Sequence, residues 1–399
     1  MVGSRGQSGG FAAASGDYDN LWGELLTLAT ETTMQASATE ACTFSLLRFN
    51  VVSGGSGTND LRFRKNTANG NQLATGTGTG IKEDSSNIDT LAAADLFNLA
   101  YTDDGTNSFV AWISGLVEFS SGYGAFVASN GNTIHDVESA TRYISLTGAT
   151  QADGTATEAN AAFKARGYTT FEALQVRATT NARTNTSTFK NRINGADGTG
   201  SCSFSAGATG LVVSSGLGDA IADGNTICAS ITLGTGVEDL TVAFVGATLK
   251  STDIEQDVWA SGQNGLVRAA SATAHYYPLS SALTSVGATT ESQARIKVGY
   301  PGTAKNLGCY LSANTYAADG TLKLFKNGSA VLTTTITLLG GAGWYENTAD
   351  SITFTGTDEL SYEFVGGTTG SITIHSVGVT LKPDTAAATN SNFFMLMRA

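Results

Sequence analysis

Short segments in which apolar and polar residues alternate occur along most of the chain. LKLFKNGSAV (322–331) is one such segment, and LRFRKNTANG (61–70) and TFKNRINGAD (188–197) repeat its design. Alternation with period two is typical of strands with one buried face. An Asn-Gly pair between two such segments favours a two-residue hairpin turn. The pattern therefore predicts an all-β protein in which one hairpin occurs three times.

Other landmarks recur in the same order, which indicates three copies of one domain. The hairpin Asn lies at Asn66, Asn194 and Asn327, with offsets 194 − 66 = 128 and 327 − 194 = 133. We match five further landmarks in each copy: an aromatic start (Trp22, Tyr143, Tyr277), a Thr-Glu pair (Thr39-Glu40, Thr157-Glu158, Thr290-Glu291), a Gly turn (Gly80, Gly210, Gly343), an Asp that opens a strand (Asp95, Asp223, Asp358) and a Gly in the closing strand (Gly115, Gly246, Gly378). The first Thr-Glu pair has a short offset (157 − 39 = 118), which we attribute to a missing Gly-Tyr segment.

The repeats predict three tandem domains. Short strands separated by Gly-rich turns at this spacing indicate jelly-roll or β-sandwich domains of roughly eight strands each. We expect an N-terminal arm (1–17), sandwich 1 (18–123), a connector (124–139), sandwich 2 (140–252), a second connector (253–271), sandwich 3 (272–383) and a C-terminal arm (384–399). Residues 20–32 have the propensity for a short helix, whereas 89–101 should be a strand because Asp95 aligns with Asp358.

Composition and charge narrow the class of protein. The 399 residues include 48 Gly, 3 Pro, 22 basic and 34 acidic side chains, for a net charge of −12. This charge disfavours nucleic-acid binding, and no apolar run reaches the roughly 18 residues that span a bilayer. MVGSRGQSGG lacks the apolar segment of a secretory signal. A Gly-rich β chain without a secretory signal fits a virus protein, which leaves the cell by lysis. The alternative is an extracellular protein.

Candidate catalytic groups are sparse in the sequence. His135, His275 and His375 have no nucleophile motif nearby, and we expect His375 to lie on a strand face. Acidic loops at 83–89 and 103–107 contain oxygen ligands of the kind Ca²⁺ prefers, but they favour ordinary Asx turns. The four cysteines favour buried free thiols, with a Cys202–Cys228 pair as the alternative. We therefore predict no enzyme, no cofactor and no metal site.

The third copy resembles the β-sandwich repeats of tailed-bacteriophage virion proteins. The residues that carry the resemblance are LKLFKNGSAVLTTTITLLGGAGWYENTADSITFTGTDELSYEFVGGTTGSITIHSVGVTLK, in which a KNG hairpin is followed by a Gly/aromatic turn, an Asp-initiated strand and a Gly-rich last hairpin. The first two copies match loosely, with KNTANG and RING in place of KNG. The resemblance implies a capsid decoration, fibre or spike subunit.

These observations lead to two hypotheses of function. In the first, the chain is a non-enzymatic virion subunit that forms a homo-oligomer, a trimer among the options, and contacts other virion proteins. The terminal arms and the interdomain segments would form the contacts. The C-terminal cluster, Phe393, Phe394, Met395, Leu396 and Met397, would dock on a neighbouring subunit, because an apolar tail is poorly solvated; the alternative is that it folds back onto sandwich 3 of its own chain. In the second, the chain is an adhesin that binds a host-surface glycan through Tyr300, Tyr310, Trp344 and Tyr345.

Overall fold

The computed structural model describes 17–19, 30–53, 57–103, 109–120, 122–130, 133–134, 141–149, 153–234, 238–252, 255–270, 273–279, 283, 288, 290–336, 340–384 and 391–397. Most of these residues lie in strands, and all strand pairs except those of one short strand are antiparallel. The only α-helix among the described residues, α1 (Glu158–Ala161), is one turn long, and two 3₁₀ turns span Glu31–Thr33 and Glu291–Gln293. No helix in this part of the chain is long and apolar enough to span a membrane.

The strands occur in chain order as three similar sets, followed by one C-terminal strand. The first set is β1 (Asp17–Asp19), β2 (Ala36–Ser37), β3 (Cys42–Ser53), β4 (Thr58–Lys65), β5 (Ala68–Thr77), β6 (Gly80–Leu91), β7 (Leu96–Asp103) and β8 (Phe109–Phe119). The second set is β9 (Tyr123–Asn130), β10 (Thr133–Ile134), β11 (Thr141–Ile144), β12 (Gly148–Ala149), β13 (Phe163–Lys164), β14 (Thr170–Asn181), β15 (Ser187–Ile193), β16 (Ala196–Phe204), β17 (Gly210–Ala220), β18 (Thr226–Thr232) and β19 (Leu240–Ser251). The third set is β20 (Gln256–Ala269), β21 (His275–Tyr277), β22 (Ile296–Lys297), β23 (Gly302–Asn314), β24 (Gly320–Lys326), β25 (Ser329–Ile336), β26 (Gly343–Phe354), β27 (Glu359–Val365) and β28 (Ser371–Pro383), and the last strand is β29 (Ser391–Met397).

Each sandwich consists of two sheets, which we call the hairpin sheet and the long-strand sheet. The hairpin sheets have the orders β1-β7-β4-β5, β11-β18-β15-β16 and β21-β27-β24-β25. The long-strand sheets have the orders β6-β3-β8-β29, β17-β14-β19-β9 and β26-β23-β28-β20. Apart from the hairpin, successive long strands alternate between the two sheets, which is the topology of an eight-stranded jelly roll. The predicted fold of three tandem jelly rolls is confirmed.

The core of each sandwich lies between its two sheets. Inward-facing residues alternate with exposed ones along the strands, as in β4, where Leu61 and Phe63 are fully buried. Aromatic rings stack across the gap, with the centroids of Phe44 and Phe63 4.3 Å apart. Cys42, Cys202, Cys228 and Cys309 are all free and buried, as predicted.

The predicted hairpin turns are present in all three sandwiches. Asn327 and Gly328 both have positive φ, 51° and 85°, as a type I′ turn requires. Asn194 and Gly195 have nearly the same values. In the first sandwich the turn is Asn66-Thr67, and not the Asn-Gly pair three residues later, so that a threonine has a φ of 65°.

Four of the matched landmark positions were wrong, by one to nine residues. The 3₁₀ turn of the first sandwich begins at Glu31, so Thr30-Glu31 is the true counterpart of Thr157-Glu158, and the offset becomes 157 − 30 = 127. The strand-opening Asp of the second copy is replaced by Asn225, whose side chain accepts from the N–H of Ala222 as the Asp95 carboxylate does from Ala92.

The aromatic start was also misplaced in two copies. The register pairs Tyr18, Tyr143 and Tyr276 with equivalent positions of the strands beside them. Trp22 lies outside the described residues, as do 20–29 of the proposed helix and the N-terminal arm up to residue 16. The end of the proposed helix, from Glu31, is a 3₁₀ turn.

Basic residues of the hairpin strand do not simply face solvent. Arg64 donates to both carboxylate oxygens of Glu31 at 2.9 Å, and Arg192 donates to Glu158 in the same way. The bond to Glu158 raises the pKa of the Arg192 guanidinium. These pairs fasten a helical turn to the hairpin sheet in sandwiches 1 and 2. In sandwich 3 the basic residue Lys323 pairs with Glu363 instead.

The two segments predicted as connectors contribute long strands. β9 is the outer strand of the second long-strand sheet, and β20 holds the same place in the third. The short β12 pairs in parallel with both, which joins the two sheets into one of ten strands. The predicted boundaries of independently folding units stay a prediction.

Candidate functional site: the junctions between the sandwiches

Each sandwich contacts both of the others, and three buried charged side chains, Arg48, Arg177 and Asp257, lie at these contacts. The junction between sandwiches 2 and 3 centres on Asp257 of β20. One carboxylate oxygen accepts from the N–H groups of Arg166 and Gly167, at 2.5 and 2.9 Å. The other accepts from the hydroxyl of Thr380 at 2.6 Å. Burial raises the pKa of Asp257 to about 6, although these donors oppose the shift.

A charged cluster lies beside Asp257 at the same junction. Glu346 of sandwich 3 pairs with Lys164 of sandwich 2, and it accepts from Arg166 at 3.0 Å. The Lys164 ammonium also lies 5.0 Å from the ring centroid of Trp344. Trp344 meets Trp259 edge to face at 5.8 Å. The contact therefore combines a partly buried ion cluster with an aromatic seam.

The junction between sandwiches 3 and 1 repeats part of this cluster. Glu83 of β6 accepts from Arg48 at 2.5 Å and pairs with Lys297 at 3.6 Å. Glu83 and Glu346 each lie three residues after the Gly that begins the equivalent strand. Lys164 and Lys297 end the equivalent short strands β13 and β22. The two junctions thus bring together the same pair of surfaces.

The Arg48 guanidinium also fits closely against Gly299. A Cβ built on Gly299 would lie 2.1 Å from Arg48 Nη1, and φ at Gly299 is 90°. The positive φ favours a glycine here, and a side chain at this position would also displace the Arg48 guanidinium.

The junction between sandwiches 1 and 2 uses amide and hydroxyl groups instead. The Gln175 side chain accepts from the Ser37 N–H at 3.0 Å and donates to the Ser37 carbonyl at 2.9 Å. It therefore makes with β2 the pair of backbone hydrogen bonds that a neighbouring strand would make. Arg177 donates to the Gln35 carbonyl, and burial lowers its pKa to about 10. The Lys250–Glu40 pair lies at the edge of this junction.

Apolar residues continue the first core into the second sandwich. Phe126, Ala128, Ala243 and Phe244 belong to the buried cluster of sandwich 1 although β9 and β19 supply them. The junction is therefore an extension of a hydrophobic core, which is typical of a permanent contact.

The five predicted interface residues, Phe393, Phe394, Met395, Leu396 and Met397, lie in β29. This strand pairs antiparallel with β8, from Ser391 opposite Glu118 to Met397 opposite Trp112. The C-terminal segment thus completes the long-strand sheet of sandwich 1 within the same chain, so the alternative that it folds back onto sandwich 3 is wrong. Its contact with another subunit stays a prediction.

The four residues of the glycan hypothesis do not form one surface. Tyr300 is buried, and its ring meets Phe354 at 5.8 Å inside the third core. Tyr345 packs against that core and donates to the Gly341 carbonyl. Tyr310 and Trp344 are half-buried, with ring centroids 5.2 Å apart, and together line the seam near Trp259.

Sequence reasoning missed the junction residues. The repeat offsets contained a signal for some of them. Lys164 and Lys297 are separated by the repeat offset of 297 − 164 = 133. Glu83 and Glu346 are separated by 346 − 83 = 263 residues, which equals the separation of the Gly turns, 343 − 80 = 263. Asp257 has no matching residue in the other repeats, so the repeat offsets did not indicate it. His375 lies on a strand face as predicted, 2.8 Å from the Ser312 hydroxyl. Among the described residues, no group of three or more His, Cys, Asp or Glu side chains is arranged to hold a metal ion.

No family model matches the chain. No curated protein matches it either. Two solved structures show a weak likeness. One illustrates the triple jelly roll fold and turret assembly in an archaeal virus: it is 14% identical, with 92% of this chain and 82% of that chain covered and a TM-score of 0.17. The other is a Paenibacillus xanthan lyase, 10% identical, with 93% and 56% covered and a TM-score of 0.18. At such TM-scores neither likeness carries an argument about this chain.

Proposed function

We propose that the chain is a non-enzymatic structural subunit of a virus particle, of the tailed-bacteriophage kind that its third repeat resembles. Capsid decoration, fibre and spike are the roles that fit. The subunit would assemble as a homo-oligomer on or beside other virion proteins, and one sandwich would face the host.

The observation that supports this proposal most is the continuous sheet. Tandem domains usually move relative to one another, unless a large interface joins them. Here backbone hydrogen bonds run through β9, β12 and β20 from sandwich 2 into sandwich 3. We expect a block joined in this way to resist hinging, which suits a shell or a fibre.

Particle composition tests the proposal directly. Virus particles from the host that carries the gene are purified on a density gradient, and their proteins are quantified by mass spectrometry. We expect the chain at a fixed copy number relative to the major shell protein. A chain that stays in the soluble fraction while intact particles lack it would contradict the proposal.

A carbohydrate-binding protein is the second candidate, supported by a cleft between sandwiches 1 and 2. The cleft has a volume of about 360 Å³, and its lining includes Tyr123, Thr170, Glu172 and Ser251. Carboxylate and hydroxyl groups beside an aromatic ring can bond the hydroxyl groups of a sugar. Glycan-array binding by a monomeric chain, lost in Glu172→Ala, would favour this candidate over the first.

A further inference from the structure

The outer strand of the long-strand sheet comes from a different place in sandwich 1 than in the other two. β9 and β20 directly precede the remaining strands of the sandwiches that they complete. β29 holds the same position beside β8, and it runs antiparallel to β8 as β9 does to β19 and β20 to β28. Sandwich 1 is thus completed by the strand that follows sandwich 3.

We propose that β29 is a transferable strand, and that in the assembled protein residues 391–397 of one copy complete sandwich 1 of a neighbouring copy. The inference rests on the proposed structural function, and it names the partner as a second copy of this chain. The surface that receives the strand is the open edge of β8.

Exchange of β29 between copies leaves the number of strand pairs unchanged. The same seven register pairs, Ser391–Glu118 to Met397–Trp112, form whether the two strands belong to one chain or to two. Swapping an identical element between protomers is for this reason an easy route to an oligomer. Protein concentration and the connection to β29 then decide which arrangement is populated.

The connection before β29 is long enough for either arrangement. Seven residues, 384–390, separate β28 from β29, whereas three separate β8 from β9 and four separate β19 from β20. The sequence DTAAATN contains only small or polar side chains. Fully extended, seven residues reach roughly 24 Å, so the strand can enter any sandwich 1 whose β8 edge lies within that distance of Pro383.

Each half of the contact also needs a partner when it is separated from the other. An unpaired β8 would present a free row of N–H and C=O groups, which is a template for another strand. SNFFMLM has seven residues without a charge, a Pro or a Gly, a composition that favours β pairing. A copy whose own β29 has left sandwich 1 therefore both offers a strand and exposes an acceptor, and successive copies can be linked in series.

Disulfide trapping distinguishes the two arrangements. Ser114 and Met395 are register partners on β8 and β29. The variants Ser114→Cys and Met395→Cys are purified separately as full-length chains, mixed, concentrated and oxidised. We expect a disulfide-linked heterodimer whose joined peptides contain positions 114 and 395. The native cysteines are buried and give little background.

A mismatched pair provides the control. Asn392 lies opposite Val117, three positions from Ser114 along β8, so Asn392→Cys mixed with Ser114→Cys should give far less heterodimer. The proposal is wrong if the chain forms its oligomer, the doubly substituted chain Ser114→Cys/Met395→Cys closes within itself, and the mixture gives no heterodimer. That outcome leaves the structural function standing. A chain that stays monomeric at every concentration and is missing from purified particles contradicts both.

Discussion

The indole ring of Trp259 lies across the backbone of Gly378. The two residues are register partners on β20 and β28, and a Cβ built on Gly378 would lie 2.2 Å from Trp259 Cδ2. A Cβ built on Gly115 would likewise lie 2.4 Å from the ring of Phe44, which comes from the strand on the other side, β3. The glycine that recurs in the closing strand therefore makes room for an aromatic ring in two of the three sandwiches.

Gly378→Ala should lower the free energy of unfolding by about 1–3 kcal/mol, because the added methyl group overpacks a filled space. Urea denaturation of the full chain measures the change. The same substitution in a Trp259→Ala background should cost much less, since the ring is gone. An equal cost in both backgrounds would show that the contact with Trp259 is not the reason for the glycine.

Thr67→Gly should stabilise sandwich 1. Thr67 has a φ of 65°, at the position where the other two hairpins have Gly195 and Gly328. A β-branched residue in the left-handed region costs about 1 kcal/mol or more, and we expect a gain of that size in denaturation experiments.

The matched control for Thr67→Gly is Gly195→Thr, in a turn where an added Cβ meets nothing within 4 Å. It should destabilise sandwich 2 by a similar amount. If Thr67→Gly gives no gain while Gly195→Thr gives the expected loss, then strain at Thr67 is not what limits the first hairpin.

Asp257 should make the protein less stable as the pH rises from about 4 to about 6. Its folded pKa of about 6 lies above the unfolded value of about 3.9. The folded state thus binds the proton more tightly, so its stabilising contribution is present below pH 4 and is lost as the pH rises through 6. The full effect of such a shift is about 3 kcal/mol.

Asp257→Asn should remove this pH dependence, because the amide keeps an acceptor for the N–H groups of Arg166 and Gly167 but carries no charge. Unfolding free energies measured from pH 4 to pH 7 check this. Asp223→Asn is the control, since the Asp223 side chain is 72% exposed. A slope that persists in Asp257→Asn would assign it to another group.

The pH dependence of stability that Asp95 contributes has the opposite sign to that of Asp257. Hydrogen bonds from Asn66 and Lys65 lower the pKa of Asp95 to about 2, so its contribution is present above about pH 4 and is lost as the pH falls towards 2. Asp95→Asn should flatten the decrease in melting temperature across this range.

Asn225 provides the reverse experiment in sandwich 2, where it holds the position of Asp95. Asn225→Asp should add an acid-sensitive contribution that the natural chain lacks. If neither substitution changes the acid limb of the stability curve, the Asn66–Asp95 contact does not contribute to it.

The repeat could be found from the sequence because the turns depend on local residues. Asn327-Gly328 adopts positive φ through its own side-chain chemistry, and alternation along 320–336 shows which face is buried. The offsets between matched residues identified equivalent positions less reliably where the residue type is common in the chain. Thr39-Glu40 matched the Thr-Glu pattern, but the contact of Glu31 with Arg64 identifies the true counterpart. The junction residues Asp257 and Glu346 were missed, because their partners lie in another repeat.

The sequence by itself determined the all-β class, the three-fold repetition, the hairpin turns of the second and third copies and the burial of the cysteines, since the alternation and the turn residues lie close together in the chain. Only the tertiary structure decided that β9 and β20 are strands of the sandwiches that follow them, and that β29 completes the sandwich at the other end of the chain. Strand pairing is made by backbone N–H and C=O groups that are the same in almost every residue, and side-chain patterns therefore do not specify which distant edge a strand will join.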